Sequence, residues 1–141
     1  MTRFLLDTNI ISNVVKPRPL QDLMTWMGVQ RDEDLFISTL SLAEIRRGIL
    51  QKTAGRKRRE LETWYAGAEG PRSLFRGRIL AFDEPAADAW AAIMAEGTRR
   101  GAPRSALDMV IAAIAQANDC TVVTDNERHF DGIVPLLNPL R

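Results

Sequence analysis

Short apolar runs alternate along this chain with stretches whose apolar residues recur at helical spacing. RFLLD, ending at Asp7, reads as a first strand, and TNIISNVV as a helix stopped by the Lys-Pro-Arg-Pro segment Lys16 to Pro19. PLQDLMTWMGVQ is a second helical piece, and LFIST (Leu35 to Thr39) a short buried strand. From Ser41 the pattern LAEIRRGILQK puts Leu42, Ile45, Ile49 and Leu50 on one helical face. A basic polar helix follows in GRKRRELETWYAGA, then GRILAF as a strand. AADAWAAIMAEGTRRG and SALDMVIAAIAQAND are Ala-rich helices, CTVVT is a strand and IVPLL a last extended piece. Strands without apolar/polar alternation, separated by helices, imply a parallel sheet covered on both faces. The predicted fold class is therefore a three-layer α/β/α domain with a central parallel sheet, interrupted mid-chain by successive helices.

Length and composition narrow this picture. With 141 residues, 45% hydrophobic and 26% charged, the expectation is one globular domain over residues 1–141. No apolar run is long enough to span a bilayer, and the N-terminal one is too short, and carries Asp7, for a signal peptide. A single cysteine, Cys120, permits no internal disulfide, which fits a reducing cytoplasm; within CTVVT it reads as a buried structural thiol. The net charge of +1 selects no partner. All cationic side chains except Lys16, Lys52 and Lys57 are arginines, a bias that suits phosphate and that a GC-rich genome would equally produce.

Four acids stand where this architecture would bring them together. Ligands of open parallel sheets bind beyond the carboxyl ends of the strands. Asp7 and Asp125 end strands, while Glu44 and Asp108 fall in the first turns of helices expected from Ser41 and Ser105. Each alone reads more simply as a cap: Ser41-Leu42-Ala43-Glu44 fits the capping box, Ser105-Ala106-Leu107-Asp108 fits it less well, and Asp7 and Asp125 can cap the turns after them. At one rim, however, four carboxylates repel and raise each other's pKa. A divalent cation removes that cost, and a carboxylate-rich set selects Mg²⁺ or Mn²⁺ over zinc.

FLLDTN, SLAEIRRG, ALDMVIAAIA and VVTDNERHF, in that order, resemble the PIN-domain nucleases, in particular the VapC-type toxins of bacterial toxin–antitoxin pairs. The resemblance covers essentially the whole chain and implies a PIN fold, Mg²⁺-dependent endoribonuclease activity (Mn²⁺ as the other candidate), a homodimer and neutralisation by a cognate antitoxin. Operator DNA would be met only through that antitoxin. Asp7, Glu44 and Asp108 match the first three family acids; the last motif, Thr-any-Asn or Thr-any-Asp in relatives, places Asn126 fourth and leaves Asp125 variable. The implied mechanism is phosphodiester hydrolysis of RNA by metal-activated water, with Asp7 and Asp108 as metal ligands, Glu44 as ligand or orienter of water, and 5′-phosphate and 3′-hydroxyl products.

Other residues add less. Arg46, Arg47, Lys52, Arg56, Lys57, Arg58 and Arg59 form either a track for an RNA backbone or a solvated helix face, to which Glu60 and Glu62 are suited. His129, the only histidine, excludes a histidine-pair mechanism and reads as structural beside Phe130. Trp26, Trp64 and Trp90 read as core or interface residues rather than base-stacking platforms. A signalling receiver would need a second early acid and a late lysine; a haloacid-dehalogenase-type phosphatase would need Asp where Asn9 stands. A catalytically inactive PIN-like binding module remains the alternative that RNA cleavage would exclude.

Overall fold

Strand β1 (Arg3–Leu6) occupies the centre of the sheet in the computed structural model, which describes residues 2–14 and 18–140. With β2 (Leu35–Ser38), β3 (Ile79–Leu80), β4 (Cys120–Val123) and β5 (Leu136–Leu137) it forms a wholly parallel sheet in the order β3-β2-β1-β4-β5. Phe4 is in register with Leu35 on one side and with Thr121 on the other.

Neighbouring side chains of a strand point to opposite faces, so Leu5 and Leu6 enter two different cores. Leu5 packs with Phe36 and Val122 against α6 (Glu84–Arg99) and α7 (Asp108–Ala117), whose Ile93, Met109, Ile111 and Ile114 are buried. Leu6 packs with Ile37 and Val123 against α1 (Thr8–Val14) and α2 (Gln21–Gly28) through Ile10, Ile11 and Leu23. The same face carries Leu42 and Ile45 of α3 (Thr39–Leu50), and Phe75 beyond α5 (Pro71–Leu74). Two covered faces explain why the strands are uniformly apolar, and the three-layer α/β/α architecture is the one expected. Either leucine is worth about 2–5 kcal/mol against alanine. Cys120 is a buried thiol whose pKa is pushed up by burial, in keeping with a structural role.

Several boundaries differ from the sequence expectation. Helix α3 starts at Thr39 because Ser38, the last residue of β2, serves as its N-cap and accepts the Ser41 N–H at 3.0 Å. Glu44 therefore falls in the second turn, not the first. α7 starts at Asp108 rather than Ser105, whose hydroxyl accepts the Asp108 N–H at 3.3 Å. The strand expected across GRILAF shrinks to Ile79–Leu80 at the sheet edge, and Asp83 already caps α6 by accepting the Ala86 N–H at 3.2 Å. The basic helix α4 (Arg56–Ala66) is followed by the unanticipated α5, entered through Gly70. A Cβ at Gly70 would lie 2.2 Å from the Trp64 carbonyl oxygen, so only glycine lets the chain turn this closely under α4. Of the segment expected to stop α1, Lys16 and Pro17 lie outside the described residues; the described helix reaches Val14.

Candidate active site at the carboxyl ends of the strands

The chain leaves β1 toward β2, while β4 takes the other flank of β1, so strand order switches at β1. A crevice opens beyond the carboxyl ends at such a point. Here it is an open cleft of about 450 Å³, whose lining includes Asp7, Glu44, Asp108, Asp125, Asn126 and His129. All four acids and the amide singled out from the sequence thus reach one site, delivered by β1, α3, α7 and the turn after β4.

Asp7 is the most constrained of them. Its Oδ1 accepts the Thr8 N–H at 2.8 Å and its Oδ2 accepts the Thr124 hydroxyl at 2.9 Å. Burial pushes its carboxyl above the ordinary value of 3.8; the two hydrogen bonds oppose that rise, and the negative charges of Glu44 and Asp108 add to it.

Glu44 does not close a capping box. Its Oε1 accepts the Thr8 hydroxyl at 2.5 Å, and Thr8 Oγ1 lies 2.9 Å from Ser41 Oγ. Ser38 Oγ in turn donates to Ser41 Oγ at 3.3 Å. Each hydroxyl carries one proton, so the chain runs Ser38 to Ser41 to Thr8 to Glu44, with every donor used once.

Asp108 caps nothing with its side chain; its Oδ2 lies 2.9 Å from His129 Nδ1. Asp125 accepts the Asn9 side-chain amide. Asn126 donates its backbone N–H to Thr124 Oγ1 at 2.9 Å, and its side-chain amide lies 3.1 Å from His129 Nδ1. Both Asp125 and Asn126 line the cleft. Asn9 Oδ1 is buried beside it without a hydrogen-bond partner. Among the described residues, no three His, Cys, Asp or Glu side chains are gathered closely enough to hold an ion as they stand.

Residues 4–133 match the PIN-domain family. The chain belongs to that family. As a PIN domain it is similar to toxin FitB of Neisseria gonorrhoeae, with 36% identity over 96% of this chain and 96% of that protein. It is also similar to VapC ribonuclease Y4jK of Sinorhizobium fredii, with 32% identity over 95% of each. The crystal structure of FitAcB from Neisseria gonorrhoeae aligns with a TM-score of 0.87 and 34% identity over 98% of this chain and 99% of that one. Membership sets aside the receiver and phosphatase alternatives.

Sequence reasoning overlooked the hydroxyls of Thr8 and Thr124, gave Ser41 the capping role that Ser38 takes, and read His129 as structural although it faces the cleft. The usable signals were DTN and VVTDN themselves, where a Thr stands one residue from each strand-end acid. The basic set divides. Arg46 of α3 pairs with Glu62 of α4 at 3.4 Å, while Arg58 pairs with Glu62 at 3.3 Å and Arg56 with Glu60 at 3.1 Å one turn apart within α4, as on a solvated helix face. Arg47, Lys57 and Arg59 are exposed. Trp26 packs edge-on against Phe4 at 5.1 Å, and Trp90 donates its indole N–H to the Ala106 carbonyl at 2.9 Å; both are framework contacts. No described helix is long and apolar enough to cross a membrane.

Proposed function

We propose that this PIN domain is the toxin of a type II toxin–antitoxin pair, an endoribonuclease that hydrolyses RNA with Mg²⁺ or Mn²⁺. The carrying observation is that Asp7, Glu44 and Asp108, from three distant segments, share one cleft in which Asp7 is pushed toward protonation by burial and by the other two. The names of the relatives, a toxin and a VapC ribonuclease, support the same reading.

The donors fit a hard cation. They are carboxylates, with the unpartnered acceptor Asn9 Oδ1 alongside and no thiolate within the lining. When bound, such an ion supplies a hydrolytic nucleophile at neutral pH and positive charge for the phosphoryl oxygens. Asp7 and Asp108 are the ligands in this reading. Glu44 is a third ligand or orients water, and Asn126 contributes an uncharged amide at the rim. Thr124 and the Thr8 N–H favour the ionised form of Asp7 and oppose the rise that burial imposes, because each donates to a carboxylate oxygen. The products are 5′-phosphate and 3′-hydroxyl ends. A small antitoxin neutralises the protein and carries it to operator DNA. A second copy of the chain covers the apolar strip Leu20, Met24 and Val29 around α2.

The test is cleavage of RNA by the isolated protein with Mg²⁺, with Mn²⁺ and in excess EDTA. Cleavage restricted to the metal-supplied samples is expected; equal cleavage in chelator overturns the metal mechanism. No cleavage under any of these conditions would favour the inactive binding module.

A further inference from the structure

We propose that His129 is a positioning residue that fixes the Asp108 carboxylate for cation binding, an inference that rests on the metal-dependent reading above. The contact is His129 Nδ1 to Asp108 Oδ2 at 2.9 Å. An ionised carboxylate only accepts, so the hydrogen resides on Nδ1. Neutral imidazole and imidazolium both donate from that position, and the contact does not depend on the charge of the ring.

The same nitrogen settles a neighbour. Asn126's amide lies 3.1 Å from Nδ1. A ring nitrogen that donates to Asp108 cannot accept from an amide NH₂, so the amide turns its oxygen toward the ring, an orientation equivalent in shape. One N–H thus orders the last two motifs of the cleft together.

Both ends of the contact stand on fixed supports. His129 closes a short 3₁₀ turn (Glu127–His129), and the next residue, Phe130, is buried at 1% exposure. Asp108 is the first residue of α7, with Met109 immediately after it buried in the core. An aspartate side chain at a helix start otherwise rotates freely. Held through Oδ2, it would leave its other oxygen free to hold a cation, as outer hydrogen bonds orient ligating groups in metal sites generally.

The experiment is calorimetric titration of the full chain with Mn²⁺ in wild type, His129→Ala, His129→Asn and His129→Gln. The Asn side-chain NH₂ falls near the place of Nδ1; that of Gln falls nearer Nε2. Mn²⁺ affinity is expected to drop by about 10–100-fold in His129→Ala and His129→Gln, with His129→Asn close to wild type. The half-exposed position should leave folding intact; if the alanine variant nevertheless fails to fold, the two amide variants decide. Wild-type affinity in His129→Ala or His129→Gln overturns the role of His129 and leaves the metal reading standing. Absence of Mn²⁺ binding in the wild type itself overturns both.

Discussion

Thr124 donates its hydroxyl to Asp7 Oδ2 across 2.9 Å, joining residues that directly follow two paired strands, β1 and β4. The same oxygen accepts the Asn126 N–H, so one fully buried hydroxyl ties the acid of the first motif to the backbone of the last. Thr124→Val keeps the shape and removes both bonds. Chemical denaturation is expected to show a loss of about 1–3 kcal/mol, because the Asn126 N–H loses its acceptor and Asp7 a donor. A stability unchanged from wild type would mean that water replaces the hydroxyl without cost.

Asp7 sets a pH dependence. In the metal-free protein its folded pKa lies above the ordinary carboxylate value of 3.8. As pH rises from there, the unfolded chain releases this proton first. The folded state then binds more protons, and its contribution to stability declines until pH has passed the folded value. The metal-free wild type should therefore lose stability relative to Asp7→Asn across that window, and parallel curves from paired melts would contradict the raised pKa.

Asp108→Asn separates a ligand from a helix cap. Asn caps about as well as Asp, and the side chain caps nothing in any case. Cleavage is expected to fall by roughly 10²–10³, the scale of losing one strong electrostatic stabiliser. The metal-free melting temperature should hold or rise, since one of the charges that repels Asp7 is gone. Retained cleavage would remove Asp108 from the metal site.

Gly70→Ala probes the turn beneath α4. The added methyl meets the Trp64 and Tyr65 carbonyl oxygens at 2.2 and 2.5 Å, both backbone atoms that cannot swing aside. A destabilisation of about 1–3 kcal/mol is expected from overpacking, read as a lower denaturant midpoint. Cleavage per folded molecule should survive, because α4 and α5 contribute no residue to the cleft lining.

Asp7 and Asp108 were legible because each stands at the boundary of an element that periodicity reveals. Asp7 ends an apolar run, and Asp108 opens an apolar helix. Their partners were not. Thr8 and Ser41 are 33 residues apart, and Thr8 and Glu44 36, with no periodic signal linking them. The capping-box reading of Glu44 failed because Ser38 caps α3 first, a displacement of one turn that a pattern of apolar residues tolerates. His129 was misread because a 3₁₀ turn carries no hydrophobic period to say which way its side chains face. β3 was overlong since an edge strand of two residues needs little of its apolar flank; Phe82 beyond it stays 42% exposed.

The pairing of β1 with β4 also bears on synthesis. Arg3 aligns with Cys120, so β1, which meets β2 early in synthesis, gains its second neighbour only about 80 residues later. At about 5–20 residues per second, β1 waits several seconds beside β2 before β4 emerges. Until then Asp7 has neither Thr124 nor Asp108 near it, and the cleft does not exist. A nascent fragment that stops short of β4 thus lacks the cleft by topology, whatever its other elements have formed.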